Sequence, residues 1–248
     1  MSYLNCNAFR EYDLDPLQQR IQNLDGGRIL DVATGRGASA RYLLDTFQSF
    51  QELIGIDISE KNLFRARQDI ADKHTGFLVM PAEKMAFDDN TFDTACISNS
   101  LHHVEDARQV LREMKRVLKP GGLLIVGEMF RDNQSELQMT HVLMHHWWAE
   151  IDEASGIPHY ATFTRSELEG MISELEFAGV EFFDYRDDAV ITDEEMLNFL
   201  HTTCDDYLGR AERDLSRTDL VSRGIEIKNR LQNTGIAWAT QLCVLGRK

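Results

Sequence analysis

Apolar residues along the first 130 positions switch between two periods. Arg28–Ala33, Glu52–Asp57, Gly76–Met80, Phe92–Ser98 and Leu123–Val126 are short runs, apolar almost throughout, as strands covered on both faces should be. Between them apolar residues recur at helical spacing. Ala40, Leu43, Leu44 and Phe47 form one set, and Leu63, Ala66 and Ile70 follow Ser59, which is placed to cap their helix. Ala107, Val110, Leu111, Met114, Val117 and Leu118 make a third, strongly amphipathic helix, which Lys119-Pro-Gly-Gly122 is expected to stop. The alternation predicts an α/β fold, a mostly parallel sheet with helices on both faces. In such sheets ligands bind beyond the carboxyl ends of the strands, where the strand order reverses.

The second half reads differently. Gln134–Ile151 is a helix rich in His, Met and Trp, and Ile157–Phe163 a loop. Thr164-Arg-Ser-Glu167 and Thr192-Asp-Glu-Glu195 are capping-box sequences that open two more helices, the second continuing to about residue 232. Val180–Tyr185 and Ile236–Leu245 are the last two strands. One domain is therefore expected over 1–248. It has an N-terminal helical segment (1–24), a cofactor-binding core (25–130), helical insertions (131–163 and 192–233) and sheet-completing parts (164–191 and 234–248).

Composition narrows the function. With 26 Lys plus Arg against 41 Asp plus Glu, the net charge is −15. Such a chain is not expected to grip a nucleic-acid backbone or an anionic membrane surface. No apolar run approaches the length of a membrane span, and the first residues show no secretory pattern. Cys6, Cys96, Cys204 and Cys243 are scattered and read as reduced thiols of a cytoplasmic protein.

The candidate chemistry sits at the strand ends. Asp31 stands at the end of the first strand, ahead of Gly35 and Gly37, which let the backbone turn tightly and approach a ligand. Gly35-x-Gly37-x-x-Ala40 alone fits a dinucleotide site. However, a carboxylate at Asp31 repels a pyrophosphate and favours an ammonium group. Asp57 closes the second strand, where a carboxylate can accept both ribose hydroxyls. The fourth strand leads into Ser98-Asn-Ser-Leu-His-His103.

Taken together, these segments resemble the class I S-adenosylmethionine-dependent methyltransferases, closely over residues 25–130. Asp31-Val-Ala-Thr-Gly-Arg-Gly37 is similar to the family's acid-x-Gly-x-Gly-x-Gly motif, with Ala33 in the first glycine position. Pro81-Ala-Glu-Lys-Met-Ala-Phe87 resembles its Asp-Ala-Glu-x-Leu-Pro-Phe segment, with Pro81 replacing the acid. The resemblance implies a seven-stranded Rossmann-like sheet with a reversed last strand. It also implies S-adenosylmethionine as cofactor, leaving as S-adenosylhomocysteine. Asp31, Ala33, Thr34, Gly35 and Gly37 would hold the methionine part, and Asp57 and Ile58 the ribose side. Pro81, Ala82 and Glu83 would line the adenine, with Ser98, Asn99 and His102 completing the site. The acceptor is expected to be a small molecule. Two other outcomes stay open: different chemistry on the same fold, and cofactor binding without catalysis. Nicotinamide dinucleotide chemistry is a third.

The helix Glu136–Glu150 carries His141 and His145 four apart on one face. Such a pair can bind a metal with Glu128 or Asp132, but the motif lacks its third ligand in sequence, so no metal is expected. The alternatives are a pocket wall, with the imidazoles orienting or deprotonating an acceptor and Trp147 or Trp148 stacking on it, and a lid helix whose Met and Trp are core. His145, His141 and Glu128 are the candidate bases. The long helices leave room for a homodimer.

Overall fold

The structure, a computed structural model, describes residues 15–214 and 216–248, so Cys6 and most of the predicted N-terminal segment lie outside the described residues. Seven strands form one sheet: β1 (Arg28–Val32), β2 (Glu52–Asp57), β3 (Thr75–Val79), β4 (Phe92–Ser98), β5 (Leu118–Met129), β6 (Ala178–Tyr185) and β7 (Gln241–Arg247). Their order is β3-β2-β1-β4-β5-β7-β6. Strands β1 to β5 pair in parallel. β7 runs against β5: Gly121 N donates to Lys248 O, and Lys248 N returns to Gly122 O. At the other end of the pair, Phe130 N donates to Thr240 O. The fold is the expected Rossmann-like α/β sheet, and its order reverses between β1 and β4.

The chain divides into two compact units. Among the described residues, the sheet unit contains 15–128, 168–185 and 242–248, and the helical unit contains 129–167, 186–214 and 216–241. In the sheet unit, α1 (Pro16–Ile21), α2 (Ala38–Thr46) and α3 (Glu60–Asp69) cover one face. Ile21, Leu43, Phe47, Leu63 and Ile70 pack there on Ile29, Leu53, Phe77 and Ile125. Right-handed crossovers put helices on opposite faces once the strand order reverses. Accordingly, α4 (Ala107–Val117) lies opposite, with the C-terminal part of α6 (Arg165–Ser173): Leu111, Leu168, Met171 and Ile172 meet Val126, Leu242 and Val244. The period of two along β5 and β7 sends Ile125 and Leu245 to the first face, and Val126 and Val244 to the second.

The helical unit is built from α5 (Glu136–Ala154), α7 (Glu194–Gly209), a π turn (Arg210–Asp214) and α8 (Thr218–Asn233). Met144, Trp147, Trp148 and Ile151 pack with Leu200, Cys204, Tyr207, Leu220, Ile227 and Leu231. Trp147 is fully buried and donates from Nε1 to Leu220 O at 2.8 Å. Gly224 permits this approach, since a Cβ there would stand 2.3 Å from the Trp147 ring. Trp147 is therefore core in this unit and is not available as an acceptor wall.

Several boundaries differ from the sequence reading. Lys119–Gly122 is not a separate turn. α4 ends at Val117, and β5 begins at once, with a register shift opposite Phe92 and Thr94 and Lys119 paired to Asp93. The last strand begins at Gln241 rather than Ile236. Residues 236–240 instead bond within the helical unit: Ile236 O accepts from Ile191 N, and Thr240 N donates to Gln134 Oε1. The Thr164–Glu167 capping box forms as read. The cap of α7 is Asp193, one residue after the predicted Thr192, because its carboxylate reaches Met196 N at 2.8 Å. A capping box at Ser135 and Gln138 opens α5, so the helix begins at Glu136 rather than at Gln134. No helix among the described residues is long and apolar enough to cross a membrane. Cys96, Cys204 and Cys243 are buried thiols.

Candidate functional site

Four strand ends meet near the point where the order reverses. Thr34 N donates to Ile56 O at 2.9 Å, and Gly35 N to Asp57 Oδ2 at 2.9 Å, so the turn after β1 is fastened to the end of β2. Met80 N donates to Asp57 O, bringing the end of β3, just before Pro81, to the same place. Ser100 Oγ reaches Ser98 O at 2.9 Å and Ala33 O at 3.4 Å, which ties in the loop after β4. Asp31, Ala33, Thr34, Gly35, Asp57, Ser98 and Asn99 are thus brought to one rim.

The backbone there is bent in ways that suit close approach. Ala33 and Asn99 both have positive φ, at 52° and 45°, an uncommon conformation outside glycine. Gly37 has φ 87°, and a Cβ on it would stand 2.7 Å from Ile70 Cδ1, so glycine is required on both counts. It also forms the N-cap of α2 without a side chain, which leaves that helix start open to a ligand.

Asp57 presents a carboxylate with one backbone donor on each oxygen, Gly35 N on Oδ2 and Ser59 N on Oδ1 at 2.7 Å. A carboxylate accepts about four hydrogen bonds, so capacity remains for two hydroxyls. Ile58 beside it is 67% exposed, and Val79 at the end of β3 is 55% exposed. These are apolar surfaces of the kind a flat ring covers.

Asp31 is fully buried. Its Oδ2 accepts from the Thr34 hydroxyl and from Ser39 Oγ at 2.7 Å, whereas Oδ1 has no hydrogen-bond partner. Burial raises its pKa to about 6; the Thr34 and Ser39 hydroxyls oppose the shift, and the Asp57 charge adds to it. A buried carboxylate oxygen without a hydrogen-bond partner is one that a cationic donor would satisfy.

Ala82 is buried just after Pro81. Glu83 faces the α4 side: its Oε1 accepts from Glu105 N at 3.3 Å, and its carbonyl accepts from Gln109 Nε2 at 3.2 Å. His102 and Glu128 form a buried pair. His102 Nδ1 lies 2.6 Å from Glu128 Oε1, and Leu101 N donates to Oε2 at 2.8 Å. Arg131, three residues after Glu128, is engaged within the helical unit by Glu167 and Thr162.

His141 and His145 belong to the helical unit. Ala239 N donates to His141 Nδ1 at 3.0 Å, which commits that nitrogen as an acceptor and aligns the ring on Trp238. His145 meets His159, a loop residue that spacing did not single out: their Nε2 atoms lie 3.3 Å apart. His159 Nδ1 bonds Asp152 at 2.8 Å. Burial would raise the Asp152 pKa, but the bonds from His159, Tyr207 and Arg210 hold it below the usual carboxylate range. His146 has a lowered pKa, by burial first and then by the Arg131 charge; its Nε2 bonds Thr162.

Comparison with known proteins gives the chain's likenesses. The sequence pattern of a methyltransferase domain matches residues 30–126, the stretch from β1 into β5. A ubiquinone/menaquinone biosynthesis C-methyltransferase of a Geobacter species is 29% identical over 175 residues, covering 64% of this chain and 73% of that protein. The protein of the same description from Geobacter sulfurreducens is 38% identical over 108 residues, which is 42% of each chain. The second alignment thus spans less than half of that relative. Among solved structures, the YcgJ protein of Bacillus subtilis shares the fold, with a TM-score of 0.63, 19% identity, and coverage of 94% of this chain and 96% of that one. The orphaned Asp31 oxygen, the Asp57 carboxylate and the open α2 start fit the ammonium, ribose and carboxylate groups of S-adenosylmethionine, the cofactor of this family. With the methyltransferase-domain pattern matched over residues 30–126, these likenesses support a class I S-adenosylmethionine-dependent methyltransferase.

Proposed function

We propose that this protein transfers the methyl group of S-adenosylmethionine to a small-molecule acceptor by in-line displacement. The observation that carries the cofactor half is Asp31, whose buried Oδ1 lacks a partner that an ammonium group would supply. Asp57 would take the ribose hydroxyls, with Ile58 and the backbone of Pro81, Ala82 and Glu83 beside the base. Gly35 and Gly37 would let the main chain close on the methionine part, with Thr34 orienting Asp31. Ser98, Asn99 and the loop carrying His102 would bound the site on the β4 side. The cofactor supplies an electrophilic methyl on a sulfonium, so the protein's own contribution is positioning and exclusion of water.

The small-molecule reading is supported by the relatives named as C-methyltransferases of quinone biosynthesis and by an acidic chain ill suited to nucleic acid. Glu128 and His102, already paired to each other, would position the floor of the site rather than take a proton. His145 is the candidate base in the helical unit, and His141 orients the segment around Ala239 through its Nδ1.

The test is incubation of the purified protein with methyl-labelled S-adenosylmethionine and fractionated metabolite pools, with mass identification of the product. Label in a small molecule, released with S-adenosylhomocysteine, is the expected result. Binding of the cofactor with no labelled product from any pool would refute methyl transfer and leave a binding protein.

A further inference from the structure

The helical unit buries a chain of polar groups that cofactor binding does not use. Asp152, His145 and His159 are 6%, 6% and 5% exposed. Asp152 Oδ1 accepts from Arg210 Nη1 at 2.7 Å. Its Oδ2 accepts from the Tyr207 hydroxyl at 2.7 Å and from His159 Nδ1 at 2.8 Å. With its proton on Nδ1, a neutral His159 presents Nε2 as a lone pair. That lone pair lies 3.3 Å from His145 Nε2.

Two arrangements put imidazole nitrogens at that distance: a shared proton or a shared ion. The ring geometry excludes a straight hydrogen bond, so a shared proton here would sit in a bent one. The ring centroids are 4.7 Å apart and the planes cross at 80°. A straight N–H···N bond of this length would hold the centroids about 5.5 Å apart, because each centroid lies behind its nitrogen on the lone-pair axis. The two axes therefore do not point at each other. Two imidazole nitrogens on one tetrahedral ion, each about 2.05 Å from it, stand about 3.3 Å from one another with centroids about 5.2 Å apart, so the observed 4.7 Å needs a small tilt of the rings from ideal ligation. A ligating histidine characteristically gives its other N–H to a carboxylate, which fixes tautomer and ring orientation. Asp152 does this for His159 and is itself anchored by Tyr207 and Arg210.

We propose that His145 and His159 are two ligands of a divalent transition-metal ion of the kind that prefers imidazole, with Asp152 as the carboxylate behind His159. Water or other groups from outside the pair complete the coordination. The pairing that sequence spacing suggests, His141 with His145, is replaced by a loop histidine. His141 Nδ1 is engaged by Ala239 N, and the His141 and His145 ring centroids are 6.2 Å apart. This inference stands apart from the cofactor site and from the identity of the acceptor, but it replaces the reading of His145 as a base, because a nitrogen that holds a metal cannot also take a proton.

The experiment uses the untagged full chain, stripped with chelator and titrated with Zn2+ or Co2+ alone. One equivalent is expected to bind, and Zn2+ should raise the Tm. His145→Ala and His159→Ala should each weaken binding by at least about 100-fold, and Asp152→Asn by about 10- to 100-fold. His74→Ala, at an exposed position of the sheet unit, should change nothing. X-ray absorption at the zinc edge of the unmodified protein reads the site even where a variant fails to fold: an imidazole shell near 2.0 Å is expected. An all-oxygen or sulfur shell, no stoichiometric binding, or unaltered binding by a folded His159→Ala overturns the proposal. So does a metal-free protein that shows one N–H proton shared between the two rings by NMR.

Discussion

In the sheet unit the chemically important side chains stand at strand ends and are held by the turns and loops that follow those ends: Gly35 and Ser59 N–H hold Asp57, the Thr34 and Ser39 hydroxyls hold Asp31, and Leu101 N–H holds Glu128. In the helical unit the buried polar groups hold one another, as Asp152 does with His159, Tyr207 and Arg210. The first arrangement follows from local chain geometry, because a strand end and the turn after it are fixed together. The second needs segments far apart in sequence to arrive in register. The sheet unit can therefore present a site recognisable across relatives, whereas the helical unit is free to be particular to this chain.

Four substitutions probe that contrast, beginning with the largest effect. Trp147→Ala removes the fully buried ring at the centre of the helical unit and its bond to Leu220 O. A loss of about 3–5 kcal/mol is expected in denaturant unfolding. A loss below 1 kcal/mol would mean that the packing of α5 against α8 is not what holds this unit together.

Asp57→Ala should weaken S-adenosylmethionine binding by roughly 100-fold in calorimetry, since two charge-assisted bonds and the tie to Gly35 are lost together. Unchanged affinity would remove Asp57 from the site.

Asp31→Asn tests strain stored for a ligand. Because burial raises the Asp31 pKa to about 6, above the unfolded value near 3.8, the folded state binds the proton more tightly. The cost of its charge is absent below about pH 4, grows through the interval to pH 6, and is complete above it. Asp31→Asn should therefore stabilise the cofactor-free protein by up to about 3 kcal/mol at pH 7 and by almost nothing at pH 4. It should also weaken cofactor binding. Equal stability changes at both pH values would contradict the assignment.

The smallest effect belongs to the helix caps. Ser135→Ala breaks the capping box of α5 and should cost about 1 kcal/mol, read as a lower unfolding midpoint with an unchanged slope. If the cost approached that of Trp147→Ala, the cap rather than the core would organise the helical unit.

The legibility of the molecule divides along the same line. β2 and β4 were readable to the residue, because continuous apolar runs bounded by Asp, Ser or Gly have one interpretation in an α/β chain. The Asp31–Gly37 turn and Asp57 were readable because their partners lie within a few residues or on the next strand. The start of β7 was not: residues 236–240 are as apolar as a strand, and only their bonds to Gln134, Leu137, His141 and Ile191 take them out of the sheet. His159 was invisible for the same reason. It sits in an unpatterned loop, and its partners Asp152 and His145 are set by tertiary contact. Trp147, read as either wall or core, was resolved by Gly224, a residue 77 positions away that carries no local signal.

The sequence by itself determined the alternation of strands and helices, the glycine turn between two acids and the class of cofactor that such a turn admits. Periodicity, turn chemistry and charge at a strand end are local properties of a chain. The tertiary structure alone decided that Asp31 keeps one oxygen without a partner, that Glu128 is bound to His102, and that His145 faces His159. Each of these depends on which side chains burial brings together, and burial is a property of the whole packed unit rather than of any stretch within it.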